Sequence, residues 1–207
     1  MSATFVELGN VSAPSGVLVL GTAGHIGSWR ELGRPLSERA EEAAAGGGGH
    51  VREWLCEAVA VPAATDRPVR VRASTSPSPF DGEPAIATLE IDLGIPWPRM
   101  ADPDAPVRLG DLPVDRCGMV VGDARGLDAW RSDHHLRRSG WCRPLRAGVI
   151  DVEGCRVLGI GWDQGDHSMR HRGERAAGQV YPVTLEADAT GRTVLRWSIP
   201  PYGHEPA

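Results

Sequence analysis

The chain has 207 residues, and its 22 basic side chains are all arginine, with no lysine anywhere. That excludes a lysine Schiff base, a pyridoxal-phosphate anchor and a phosphate-loop lysine. Against 27 acids the formal charge is −5, which argues against wholesale electrostatic binding of nucleic acid. Hydrophobic residues at 41% and charged residues at 24% describe an ordinary globule rather than a disordered chain. The 26 glycines and 17 prolines favour short elements joined by turns over long helices.

No segment approaches the roughly 20 apolar residues of a membrane span. The opening residues carry an acid and no base before the first apolar run, unlike a signal peptide, so a cytoplasmic location is expected. The arginine-, alanine- and glycine-rich composition points to a bacterial source of high GC content. Four cysteines, Cys56, Cys117, Cys142 and Cys155, lack C-x-x-C spacing and read as buried small hydrophobes.

In chain order, the first apolar run is Val17–Leu20, followed by a Gly-x-Ala turn and a short segment closing on Trp29-Arg30. The glycines of Gly21–Gly27 suggest a dinucleotide fingerprint, but Pro35 intervenes before any long helix could form, so a turn is the better reading. Pro35–Ala45 reads as a short helix stopped by Gly46–Gly49. Val51–Val59 reads as a second short helix, because Val51, Trp54, Leu55, Ala58 and Val59 share a helical face. Residues 69–72 and 86–93 alternate as strands, residues 95–112 form a Pro-rich linker, and Thr193–Ile199 is a final strand.

The pattern then repeats. With one constant offset, Gly21, Ala23, Trp29 and Arg30 match Gly122, Ala124, Trp130 and Arg131. Cys56 and Arg70-Val71 are spaced like Cys142 and Arg156-Val157, and Thr88-Leu89-Glu90-x-Asp92 recurs as Thr184-Leu185-Glu186-x-Asp188. The expectation is a mainly β, β-rich α+β chain. It has two tandem related half-domains, 12–94 and 113–199, forming antiparallel sheets or a sandwich, with one or two short helices in the first half. By this alignment the second half carries an inserted loop at 163–172, a place where function is often added to a scaffold that already folds.

Several constellations could carry chemistry. Asp163, Asp166, His167 and His171 could present carboxylates and imidazoles for acid–base chemistry or a divalent metal, with Asp133, His134 and His135 further candidates in the same half. No H-E-x-x-H, H-x-H or C-x-x-C motif supports a metal centre, and no cofactor is expected. Cys142 beside Arg138, Arg143 and Arg146 could be a lowered-pKa thiolate, although Cys56 in an apolar run argues for packing. From Arg131 to Arg175, arginines outnumber acids, and Trp141 and Trp162 are interleaved with histidines. Arginine, tryptophan and histidine together have the composition of a binding hot spot.

Val6–Leu20 resembles the x-Pro-(Ser/Thr)-Gly-x-Leu-Val-Val-x-Asp start of a group of bacterial β-rich domains of unknown function, some of them immunity-like proteins. Met119–Asp123 keeps the aspartate of that pattern, where the first half has Thr22. Gly178–Leu185 is similar to the Gly-x-Tyr-Pro-Val strand of the same group, with Ala176-Ala177 in place of a preceding Gly-Asp. The resemblance implies a β fold rather than an activity.

These observations favour a non-catalytic binding protein, immunity-like or regulatory. It would recognise a protein partner through Trp141, Trp162, Arg170, His171 and Arg172, with no nucleic acid or membrane partner. The alternative is a metal-dependent or acid–base enzyme using the 163–172 loop, and a small molecule bound between the halves is a third option.

Overall fold

The computed structural model describes residues 4–77, 84–98, 102, 105–113, 118–130, 146–161 and 180–198. The chain is mainly β, as its alternating and apolar runs require, and it forms two six-stranded antiparallel sheets with helices on one outer face.

The first strands in chain order are β1 (Phe5–Val11) and β2 (Val17–Thr22), followed by α1 (Ala23–Trp29), a 3-10 turn at Arg30–Leu32 and α2 (Leu36–Ala45). Strands β3 (Gly49–Glu53), β4 (Cys56–Pro62), β5 (Val69–Pro77) and β6 (Pro84–Pro96) complete the first half. The second half runs β7 (Val107–Pro113), β8 (Met119–Asp123), α3 (Ala124–Asp128), β9 (Arg146–Val152), β10 (Cys155–Gly161), β11 (Val180–Ala187) and β12 (Arg192–Ser198). One sheet, S1, has the order β1-β5-β6-β12-β11-β7, and the other, S2, has the order β3-β4-β2-β8-β10-β9.

Strand β2 is buried at every position, as is β8, because S2 is covered on both faces. Leu18, Leu20, Val59, Val61, Met119, Val121, Leu158 and Ile160 face S1 and share a core with its Val71, Leu89, Ile91, Leu195 and Trp197. Val17, Val19, Ala58, Ala60, Val120 and Val157 face the helices and pack with Ile26, Trp29, Leu36, Ala40, Leu127 and Trp130. A sheet buried on both faces reads as continuous apolar runs rather than alternation. This is why residues 17–20 and 119–121 are legible as strands.

Two sequence expectations change. The Gly21–Gly27 segment opens helix α1 rather than forming a turn. Thr22 accepts from the His25 N–H as its N-cap. Residues 51–59 are not a helix but the β3–β4 hairpin, with Trp54-Leu55 at its two-residue turn and Glu53 paired with Cys56. The helix at 36–45 is present where the sequence places it. The Pro-rich stretch 95–112 carries the end of β6 and most of β7.

Both sheets read the same from either edge. Each takes three strands from residues 5–96 and three from 107–198, and the antiparallel pairs β2–β8 and β6–β12 lie at their centres. Matching strands by place aligns Val6-Glu7-Leu8-Gly9-Asn10-Val11 with Val107-Arg108-Leu109-Gly110-Asp111-Leu112, at the same offset as Gly21 and Gly122. Matching by place also sets Cys56 against Cys155, which open β4 and β10, rather than against Cys142. The two Thr-Leu-Glu segments fall on β6 and β11, which do not hold the same place.

The edge strands show why Gly9 and Gly110 are glycine. Both lie at bulges with φ of 153° and 157°, and a Cβ would come 2.9 Å from Val149 Cγ2 and 2.7 Å from His50 Cβ respectively. Each glycine lets an edge strand of S1 approach an edge strand of S2. Gly9→Ala and Gly110→Ala should each cost about 1–3 kcal/mol in urea unfolding. Gly148→Ala, which meets nothing within 4 Å, should change stability by less than about 0.5 kcal/mol.

Candidate functional site

The two hairpins at the outer edges of S2 hold the same place in the fold, but their turns differ. The β9–β10 turn is Glu153-Gly154, with φ of 51° and 81°. Two positive φ values suit the tight two-residue turns that match strand twist, and glycine adopts them freely. The β3–β4 turn is Trp54-Leu55, with Trp54 at φ 53°. A bulky residue in the left-handed region is strained. Trp54 is 80% and Leu55 81% exposed, so neither side chain offsets that strain by burial. Among the described residues these are the two most exposed large hydrophobic side chains.

The base of this hairpin is held firmly. Glu53 pairs with Arg39 of α2 at 2.9 Å, and Arg52 pairs with Glu57 at 3.3 Å. The Arg52 Nε also donates to the Trp54 carbonyl, and the Glu57 N–H donates to His25 Nδ1 at 3.2 Å. Val51 and Cys56, on either side of the turn, are buried. A rigid base therefore presents two apolar side chains to solvent.

The strand pairing fixes which end of S2 this turn occupies. Cys56 starts β4, and β4 runs antiparallel to β2, β2 to β8 and β8 to β10. The turn therefore lies at the same end of the sheet as the end of β10 and the start of β9, where Gly161 pairs with Arg146. Three strand spacings separate β4 from β10, about 15 Å. Segment 131–145 enters β9 at that corner, and segment 162–179 leaves β10 there.

Those segments carry the sequence-derived candidates. Trp141, Trp162, Asp163, Asp166, His167, Arg170, His171 and Arg172 lie outside the described residues, as do Cys117, Asp133, His134, His135, Arg138, Cys142 and Arg143. The fold brings the attachment points of the two segments side by side. Among the described residues no group of three or more histidine, cysteine or acidic side chains could hold a metal, and no helix is long and apolar enough to cross a membrane.

Two polar clusters and one cavity lie elsewhere among the described residues. On the outer face of S1, Glu90 is buried between Arg72 and Arg196, and Arg196 also pairs with Glu186. This row of alternating charges neutralises itself. Asp123, fully buried, caps α3 by accepting from the N–H groups of Arg125 and Gly126, and it accepts from Ser15 N–H at 2.8 Å. A cavity of about 250 Å³ lies among Trp29, Arg30, Arg34, Leu36, Leu127 and Asp128. Its apolar residues Trp29, Leu36 and Leu127 are each 1% exposed, so it offers a ligand little apolar surface.

The two described cysteines, Cys56 and Cys155, are free thiols buried in the fold. Burial raises the Cys56 thiol pKa, with a further push from Glu31, and burial raises that of Cys155, with pushes from Asp123, Asp151 and Glu153. Raised thiol pKa values leave less thiolate at any given pH. In a Cys117→Ser/Cys142→Ser background at pH 8, Cys56 and Cys155 should react with a disulfide reagent much more slowly in native protein than in urea. Equal rates would contradict their packed role.

The sequence placed Trp54 and Leu55 on a helix and so missed the turn. The signal was present in the parallel between Glu53-Trp54-Leu55-Cys56 and Val152-Glu153-Gly154-Cys155, with a cysteine closing each turn. No protein-family model, curated protein or solved structure matches the chain.

Proposed function

We propose that this chain is a non-catalytic binding protein, immunity-like or regulatory, that recognises a protein partner. Its contact surface lies at the end of S2 that carries the Trp54-Leu55 turn. One observation carries this reading: two large apolar side chains stand exposed, with Trp54 on left-handed backbone, where the turn in the matching place has Glu153-Gly154 and offers no apolar side chain. Strain and exposure both oppose stability, and a residue that persists against both is retained for contact. Tryptophan is also the side chain most enriched among binding hot spots.

The segments holding Trp141, Trp162, Arg170, His171 and Arg172 attach at the same end of the sheet, so their arginine-rich composition belongs to the same proposal. The matched strand order, glycines and capping residues of 5–96 and 107–198 favour an origin by duplication. After duplication, one half kept the easy turn and the other acquired the contact.

Stability measurements test the central claim without a partner in hand. Replacing Trp54 with glycine, which adopts its φ of 53° freely, should stabilise the fold by about 1 kcal/mol, raising Tm by roughly 2–4 °C. A structural role for the pair predicts the opposite sign, and a fall in Tm would overturn the reading. Arg170→Glu with Arg172→Glu should abolish partner capture without moving Tm, and unchanged capture would remove those two arginines from the surface.

A further inference from the structure

We infer that the Trp54-Leu55 turn is a plug for an uncharged apolar pocket in a different protein, bound one to one. The inference rests on the binding role proposed above and names the occupant of that contact. The charges beside the turn are already committed: Arg52 to Glu57, and Glu53 to Arg39. Among the described residues, what the turn itself offers a partner is therefore apolar surface with its neighbouring arginines already paired.

That pairing disfavours a bilayer as the occupant of the turn. Shallow insertion of a few apolar side chains is weak, and stable attachment to a membrane needs a basic patch as a second signal. The half that bears the turn holds an acidic excess, with 9 arginines against 15 acids in residues 1–112.

A flat contact is disfavoured by area, and a second copy offers among its described residues only the cavity beside Trp29, which exposes little apolar surface. The two side chains offer on the order of 300 Å². A stable interface needs about 800 Å² on each side. A protrusion this small buries all of its area only inside a concavity, where the partner wraps both side chains. Stoichiometry follows from the matching turn: Glu153-Gly154 offers no apolar contact, so among the described residues the near-symmetric strand order carries one such turn.

The test is photo-crosslinking with the full-length chain carrying Trp54→p-benzoylphenylalanine, in the cells that naturally make it. The expected product is a single adduct with another protein, of one-to-one mass, joined at apolar residues lining a cleft. Excess wild-type chain should compete this adduct away, and excess Trp54→Glu/Leu55→Gly chain should not. Competed attachment to a flat or charged surface would overturn the pocket. An adduct of doubled mass, from a second copy, would overturn the occupant but leave the turn a protein contact. A lipid adduct, or no adduct that wild-type chain competes away, would overturn both the plug and the binding role.

Discussion

Burial of S2 on both faces is the constraint on which the rest of the structure depends. Strands β2 and β8 pair at its centre, and each of their side chains must enter one of two cores. One core requires S1, and the other requires three short helices. Polar groups at the strand ends have no water to turn to, so Thr22 and Asp123 become helix caps. A buried carboxylate without such donors would cost several kcal/mol. The Ser15 N–H reaches Asp123 across the halves and makes that satisfaction a joint property of both.

The same constraint decides what could be read from sequence. Runs such as Val17–Leu20 are legible because nothing but a fully buried strand or helix tolerates them, and Gly21 stops them short of helix length. Residues 51–59 are misleading for the same reason. Val51, Trp54, Leu55, Ala58 and Val59 have helical spacing. Yet Ala58 and Val59 are both buried because they point into different cores, not because they share a face. When both faces are apolar, the two-residue period of a strand disappears and a helix can be counted in its place. The capping of α1 and the pairing of Cys56 with Cys155 as counterparts both depend on tertiary placement. Spacing alone led instead to Cys142.

The site was less legible than the fold. Composition drew attention to an arginine- and tryptophan-rich stretch, whereas the described residues draw it to a turn in the other half. Strand order connects the two, because it puts the turn and the attachments of that stretch at one end of S2. Near-symmetry makes the comparison informative: a feature shared by both halves, such as the buried Trp29 and Trp130, belongs to the scaffold. A feature confined to one half, such as Trp54-Leu55, needs another explanation.

The place of β12 has a consequence for biosynthesis. It is the last described strand, yet it pairs with β6 in the middle of S1. As the chain emerges from the ribosome, β6 has its 13-residue flank open until residues 192–198 are made. Strand β2 waits only for β8, so S2 can join its halves early while S1 stays unzipped. During that interval the nascent protein carries a long, unpaired, apolar strand edge, the feature that invites aggregation. The interval lasts on the order of ten seconds at ordinary elongation rates. Protection of that one edge, rather than final stability, would then govern how much of the newly made chain reaches its folded form.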